Sequence, residues 1–180
     1  MQNRTLARND VAPMAFDRHG AHMKWDQLCD DPTSENILYR VELTRHGQLV
    51  MSPHRSYQTI FQGRIIRRLN ELLPDGEAMP ECPIAVEAGT VVADVAWASA
   101  AKVRRNFDLA SWAESPEIVV EVLSPSNAEA EIHNKRNAVF ARGASEFWVC
   151  DRKGNLEFFG PRGRLAKPRL CPQFPSCIAS

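Results

Sequence analysis

The chain has 180 residues, 44% of them hydrophobic and 24% charged, with 22 Lys plus Arg against 22 Asp plus Glu. That length suits one domain. The zero net charge excludes a polycationic nucleic-acid coat protein but leaves room for an enzyme that meets nucleic acid through one local patch. No run approaches the roughly 18 apolar residues of a membrane span, and the N-terminal stretch lacks the apolar core of a signal peptide, so neither a membrane partner nor secretion is expected.

Residues 1 to 36 read as a polar N-terminal arm, closed by the turn-rich run Asp30-Asp31-Pro32-Thr33-Ser34-Glu35. The domain proper is expected over 37–160. Ile37 to Leu43 reads as a strand, Arg45-His46-Gly47 as a turn, and Gln48 to Met51 as its hairpin partner. Ser56 is the expected N-cap of a helix from Tyr57 to Leu73, with Ile60, Phe61, Ile65, Leu69, Leu72 and Leu73 as its apolar stripe. Arg64, Arg67 and Arg68 share its opposite side. Ile84 to Val86 and Val91 to Trp97 read as two strands around Ala88-Gly89, and the basic stretch Ala98 to Leu109 as helix or loop.

Glu117 to Leu123 is short and β-branched, the composition of a buried central strand. Ser126 and Glu129 have capping-box spacing, which starts a helix that ends at Arg142 with Gly143 beyond it. Glu146 to Asp151 and Leu156 to Phe159 form a second hairpin around Arg152-Lys153-Gly154-Asn155, and residues 161–180 read as an irregular C-terminal tail. Hairpins mixed with a helical crossover predict an α/β fold, a mixed β-sheet flanked by helices. The cysteines, Cys29, Cys82, Cys150, Cys171 and Cys177, are odd in number, widely spaced and without a Cys-x-x-Cys pair. That is the pattern of reduced thiols in a cytoplasmic protein.

Two acids interrupt apolar strands and need a physical reason, because a buried unpaired carboxylate is costly. Asp94 lies within Val91 to Ala96, and Glu121 within Ile118 to Leu123. Carboxylates on adjacent strands can share a divalent cation; the alternative is that each pairs with a neighbouring base or lies on a wet edge. Alternation puts Glu117 on the face of Glu121, at the strand entrance, where it either supports the site or, as strand starts usually are, is solvated, and puts Ile118, Val120 and Val122 on the other face. The next helix carries Lys135 back along the strand, close enough for its ammonium to approach those acids.

The string Pro116 to Asn127 (PEIVVEVLSPSN), the helix bearing Lys135, and Ala141 to Asp151 (ARGASEFWVCD) resemble the Uma-type restriction endonuclease family of bacteria. Val41-Glu42-Leu43 and the run from His46 to Pro53 resemble that family's opening hairpin. The resemblance covers about residues 37 to 160. It implies a restriction-endonuclease-like fold of the PD-(D/E)xK nuclease superfamily and a metal-dependent phosphodiesterase site acting on DNA. In that reading Asp94 and Glu121 hold Mg²⁺, with Mn²⁺ as substitute, helped by a main-chain carbonyl near Val122. The superfamily's lysine position is here Leu123, and Lys135 takes over its role.

Arg64, Arg67, Arg68, Lys102, Arg104 and Arg105 are the candidate phosphate contacts, with an ordinary solvated basic face as the alternative. With no net charge, DNA binding is expected to be weak unless a homodimer concentrates these patches. Three positions depart from the family pattern: Ala93 stands in place of a proline, Gln48 in place of a glutamate, and Tyr57 in place of a histidine. They keep open a second reading, a nuclease fold without turnover that binds nucleic acid or a protein partner. A third is a dimeric scaffold without ligand.

Overall fold

The computed structural model describes residues 25, 27–30, 40–44, 46–52, 55–124 and 128–178. Most of the expected N-terminal arm, the start of the first strand and Ser126 of the expected capping box lie outside them. The elements run β1 (Arg40–Thr44), β2 (Leu49–Ser52), α1 (Ser56–Leu72), β3 (Gly76–Val86), β4 (Gly89–Ser99), α2 (Ala100–Asn106), β5 (Ile118–Val122), α3 (Glu129–Ala141), β6 (Glu146–Cys150), β7 (Leu156–Gly160) and β8 (Gly163–Leu165). The eight strands form one sheet in the order β2-β1-β4-β5-β6-β7-β8, with β3 on the remaining edge of β4. Only β5 and β6 are parallel, joined by the α3 crossover, and the other pairs are antiparallel. The mixed α/β sheet expected from the sequence is therefore the observed architecture.

Helices cover both faces. Phe61, Ile65 and Leu69 of α1 pack with Val95, Trp97, Ile118, Val120, Val122 and Trp148 on one side. Val139 of α3, with Ile132 and Phe140, packs with Ile84, Ala96, Val119 and Phe147 on the other. The alternation expected for β5 holds, since Ile118, Val120 and Val122 share the α1 face and Val119 takes the α3 face. Ile60 does not join the stripe of α1: it is 51% exposed, while Gln58 and Gln62 are buried in its place.

Several boundaries differ from the sequence reading for identifiable reasons. The N-cap of α1 is Arg55 rather than Ser56, and its N–H is taken up by the Gln58 side chain at 2.9 Å. β3 begins at Gly76, well before Ile84, despite Pro80 and Pro83. Prolines are tolerated there because, among the described residues, β3 pairs with no strand but β4. Gly143 does terminate α3, with φ of 93° in the left-handed region.

The tail is not loose. Cys171, Phe174 and Ile178 enter the α1-side core, and the Phe174 ring sits 4.8 Å from Trp148. Glu146, 1% exposed, holds this segment by accepting from the N–H groups of Arg169 and Leu170, each at 2.7 Å. Its other oxygen accepts from Trp148 Nε1, also at 2.7 Å. The N-terminal side is anchored as well: Trp25 is buried against Leu43 and Val92 and donates to the Ala110 carbonyl at 2.8 Å.

A candidate active site at the fork of β4

The site arises where two strands share one edge of a third. β3 pairs along the whole of β4. On the opposite edge, β1 pairs with Gly89 and Thr90, and β5 with Val95, Ala96 and Trp97. Between them the edge of β4 has no strand partner among the described residues, and backbone groups there are taken up by side chains instead. The Val92 N–H donates to Glu42 Oε1 at 3.1 Å, and the Val92 carbonyl accepts from Lys135 Nζ at 2.7 Å. The Asp94 N–H donates to Glu121 Oε1 at 3.4 Å. An unpaired backbone group in a protein interior costs about as much as a lost hydrogen bond, so these side chains are tied to the gap by the sheet itself.

Asp94, Glu121 and Lys135 are thus brought together, and all three are buried. Asp94 Oδ2 accepts from the Val122 N–H at 2.6 Å, which sets its carboxylate at the C-terminal end of β5. Lys135 Nζ pairs with Glu121 Oε1 at 2.9 Å and with Glu42 Oε1 at 2.8 Å. Glu121 follows the alternation of β5 onto the α3 face, where Lys135 waits one helix away.

Asp94 turns differently. Val91 and Ala93 lie on the same side of the sheet as Ala96 and Ala98, so β4 changes phase at Asp94. The partner strand does the same, since Cys82, Ile84 and Met79 share one side while Ala78 takes the other. The residue at its phase change is Glu81, with φ of 49°. A left-handed non-glycine residue costs on the order of 1 kcal/mol. Here that backbone lets both acids turn toward α1, where Gln62 Nε2 donates to Asp94 Oδ1 and to Glu81 Oε1, each at 3.3 Å.

Four residues of this constellation were missed from the sequence. Glu42 carried no signal of its own, because its role depends on β1 ending up beside β5 on one edge. Glu81 lies in a stretch to which the sequence reading assigned no element. Gln58 and Gln62 did leave a trace: with Ile65 and Leu69 they fall on one helical stripe, and amides on an apolar stripe point to buried acceptors. Gln58 Nε2 donates to the Val122 carbonyl at 3.2 Å, and Tyr57 Oη donates to the Leu123 carbonyl at 2.9 Å, so α1 begins at the end of β5.

The expected phosphate contacts do not gather at this fork. Lys102 is corrected outright: its ammonium is internal, donating to the Ser115 carbonyl at 2.8 Å and pairing with Glu117 at 3.6 Å. Glu117, expected to be solvated, instead also accepts from the Ser99 N–H and hydroxyl at 3.2 and 2.9 Å. Arg64 donates to the Ile178 carbonyl at 3.0 Å and so fastens the tail. Arg67 and Arg68 lie on the surface beside Glu71, and Arg105 beside Glu114. Arg104 is exposed in α2, beyond the far end of β4.

No three His, Cys, Asp or Glu side chains among the described residues gather so as to hold a metal unaided. The donor chemistry nevertheless fits a hard divalent cation. Asp94 and Glu121 supply buried carboxylate oxygens, and Mg²⁺ commonly takes only one or two carboxylates, completing its shell with water and substrate phosphate. The Val122 carbonyl, the expected third donor, already accepts one hydrogen bond from Gln58, although a carbonyl retains a second lone pair.

The family model Uma2, described as "putative restriction endonuclease", matches residues 25–170 of the chain. That is wider than the 37–160 expected, and it takes in both Trp25 and the segment bound by Glu146. A solved structure of a putative nuclease belonging to DUF820 from Anabaena variabilis ATCC 29413 is similar with a TM-score of 0.67. It shares 14% sequence identity, and the match covers 86% of this chain and 94% of that one. At that identity the likeness concerns the fold. No curated protein matches the chain.

Proposed function

Because this chain belongs to the Uma2 family of putative restriction endonucleases, we propose that it is an endonuclease that hydrolyses DNA phosphodiester bonds with Mg²⁺, or Mn²⁺ in its place. The observation that carries this reading is the fork itself, where the unpaired edge of β4 collects Asp94, Glu121 and Lys135. Asp94 and Glu121 would hold the cation. When bound, such a cation polarises a phosphate oxygen and lowers the pKa of a bound water.

The remaining work falls to the chain's own groups. Lys135 is held by three acceptors at 2.7 to 2.9 Å, so its ammonium is fixed before substrate arrives. A preorganised cation stabilises charge building on a phosphate at little reorganisation cost. Glu42 positions Lys135, Gln62 positions Asp94, and Gln58 with Tyr57 holds the end of β5.

Supercoiled plasmid DNA incubated with Mg²⁺ or Mn²⁺ tests the proposal. Nicking or linearisation is expected from the parent and should stop with EDTA, with Asp94→Ala and with Glu121→Ala. Full metal-dependent cleavage by either variant would refute these roles. A second reading, a nuclease fold without turnover, draws on one feature: Lys135 already pairs with both Glu42 and Glu121 and offsets part of their charge. Calorimetric titration with Mn²⁺ separates the two. Binding to the parent that disappears in Asp94→Ala favours the enzyme, and no binding at millimolar metal favours the non-catalytic module.

A further inference from the structure

β5 and β6 are parallel, with Val122 opposite Cys150 and the Leu123 N–H donating to the Cys150 carbonyl at 2.9 Å. Their C-terminal ends therefore emerge together, on the side of the fork where Asp94 accepts from Val122. The segment leaving β6 must border the site. That segment is the turn Arg152-Lys153-Gly154, in which both cations are exposed. At about 3.3 Å per residue, Arg152 lies within about 7 Å of Cys150 along the chain.

α1 starts at the same place, because Tyr57 and Gln58 bind the carbonyls of Leu123 and Val122. Its N-cap, Arg55, is exposed there. The two cationic segments meet: the Arg152 guanidinium sits over the Tyr57 ring, 5.9 Å from its centroid, and the Tyr57 ring also makes an edge contact with Phe61 at 6.1 Å. A guanidinium resting on an aromatic face is partly ordered in advance, and its planar fork suits phosphate oxygens. The acid in this turn, Asp151, is committed locally, accepting from the Lys153 and Asn155 N–H groups and from the Asn155 amide at 2.7 to 2.9 Å.

The arginines singled out from the sequence lie elsewhere. Arg104 and Arg105 come after β4 ends at Ser99, about 17 Å of strand beyond Asp94. Arg67 and Arg68 lie about 15 Å along α1 from Tyr57 at the helical rise.

We propose that Arg55, Arg152 and Lys153 form the surface that receives the phosphate backbone of a DNA duplex beside the fork. The proposal rests on the nuclease reading and gives it a binding face: carboxylates inside the gap, cations on its rim.

Fluorescence anisotropy of an end-labelled random duplex of about 20 base pairs tests it, in EDTA to prevent cutting, with NaCl varied from about 50 to 200 mM. Each phosphate contact contributes about 0.9 to the slope of log affinity against log salt. Arg152→Ala/Lys153→Ala should therefore lower that slope by about 2, and Arg55→Ala by about 1, whereas Arg104→Ala/Arg105→Ala should leave it unchanged. All these positions are exposed, so circular dichroism should show each variant folded. A parent that binds the duplex while the rim variants keep its affinity and slope overturns this proposal alone. Loss of the slope in the Arg104/Arg105 variant overturns it too, by placing the duplex at the far end. A parent that neither binds the duplex nor cuts plasmid overturns the nuclease reading and the rim with it.

Discussion

Replacing Lys135 by Met removes an ammonium while keeping side-chain length, and its cost can be worked from three contacts. The ammonium is bound to Glu121, Glu42 and the Val92 carbonyl at 2.9, 2.8 and 2.7 Å. The side chains of Lys135 and Glu121 are 8% and 5% exposed, and that of Glu42 is 22% exposed. Removing one partner of a buried ion pair costs about 3–5 kcal/mol, because the other charge stays behind uncompensated. Glu42 can recover some hydration, which places Lys135→Met near the lower bound, about 3 kcal/mol. In a domain of this length, each kcal/mol lowers Tm by about 2–4 °C, so a fall of about 6–12 °C is expected. Urea and thermal denaturation of the parent, Lys135→Met, Glu121→Gln and the double variant measure it. Glu121→Gln removes the stranded carboxylate, so the double variant should be more stable than the sum of the single losses by about 1–3 kcal/mol. A loss below about 1 kcal/mol in Lys135→Met, or strict additivity, would refute the view that this ammonium is the internal counter-charge of the fork.

Glu146→Ala should cost at least about 3 kcal/mol, since a buried carboxylate and three charge-assisted hydrogen bonds are lost together. It should also speed tryptic cleavage at Arg164 and Arg169; an unchanged cleavage rate would count against the tail being held by this residue. The thiols should divide by location: Cys29 and Cys177 react with a disulfide reagent in the native protein, and Cys82, Cys150 and Cys171 react only after unfolding. Burial pushes Cys82 and Cys150 up to about 12, with the Asp151 charge adding to the effect at Cys150. Raising pH from about 7 to 9 should therefore speed only the exposed pair. A third thiol titrating without denaturant would contradict this packing.

The expected hairpins and crossover helix were legible because each has a local cause. Alternation marks β5, and an apolar stripe marks α1. A glycine in the left-handed region ends α3. Where local cues were weak the reading fell short. β3 was read only over Ile84 to Val86; Pro80 and Pro83 are residues that usually argue against a strand, and its position at an edge makes them harmless. The tail looked irregular, yet it opens with the short strand β8 on the edge of the sheet and is fastened by one carboxylate and one arginine from distant elements.

The site divides in the same way. The sequence by itself singled out Asp94 and Glu121, because a carboxyl group inside an apolar strand demands a reason. It brought in Lys135 through helix geometry and resemblance. It could not single out Glu42, which reaches the site only because β1 and β5 share one edge of β4, or Glu81, which meets Gln62 only through the shared change of phase in β3 and β4. Nor could it choose among the basic residues. Lys102, Arg104 and Arg152 look alike in sequence, but one is buried against Glu117, one lies beyond the far end of β4, and one borders the fork. Burial and periodicity are properties of a segment and can be read from it. Which charges end up within reach of one another depends on strand order, and that is settled only when the whole sheet assembles.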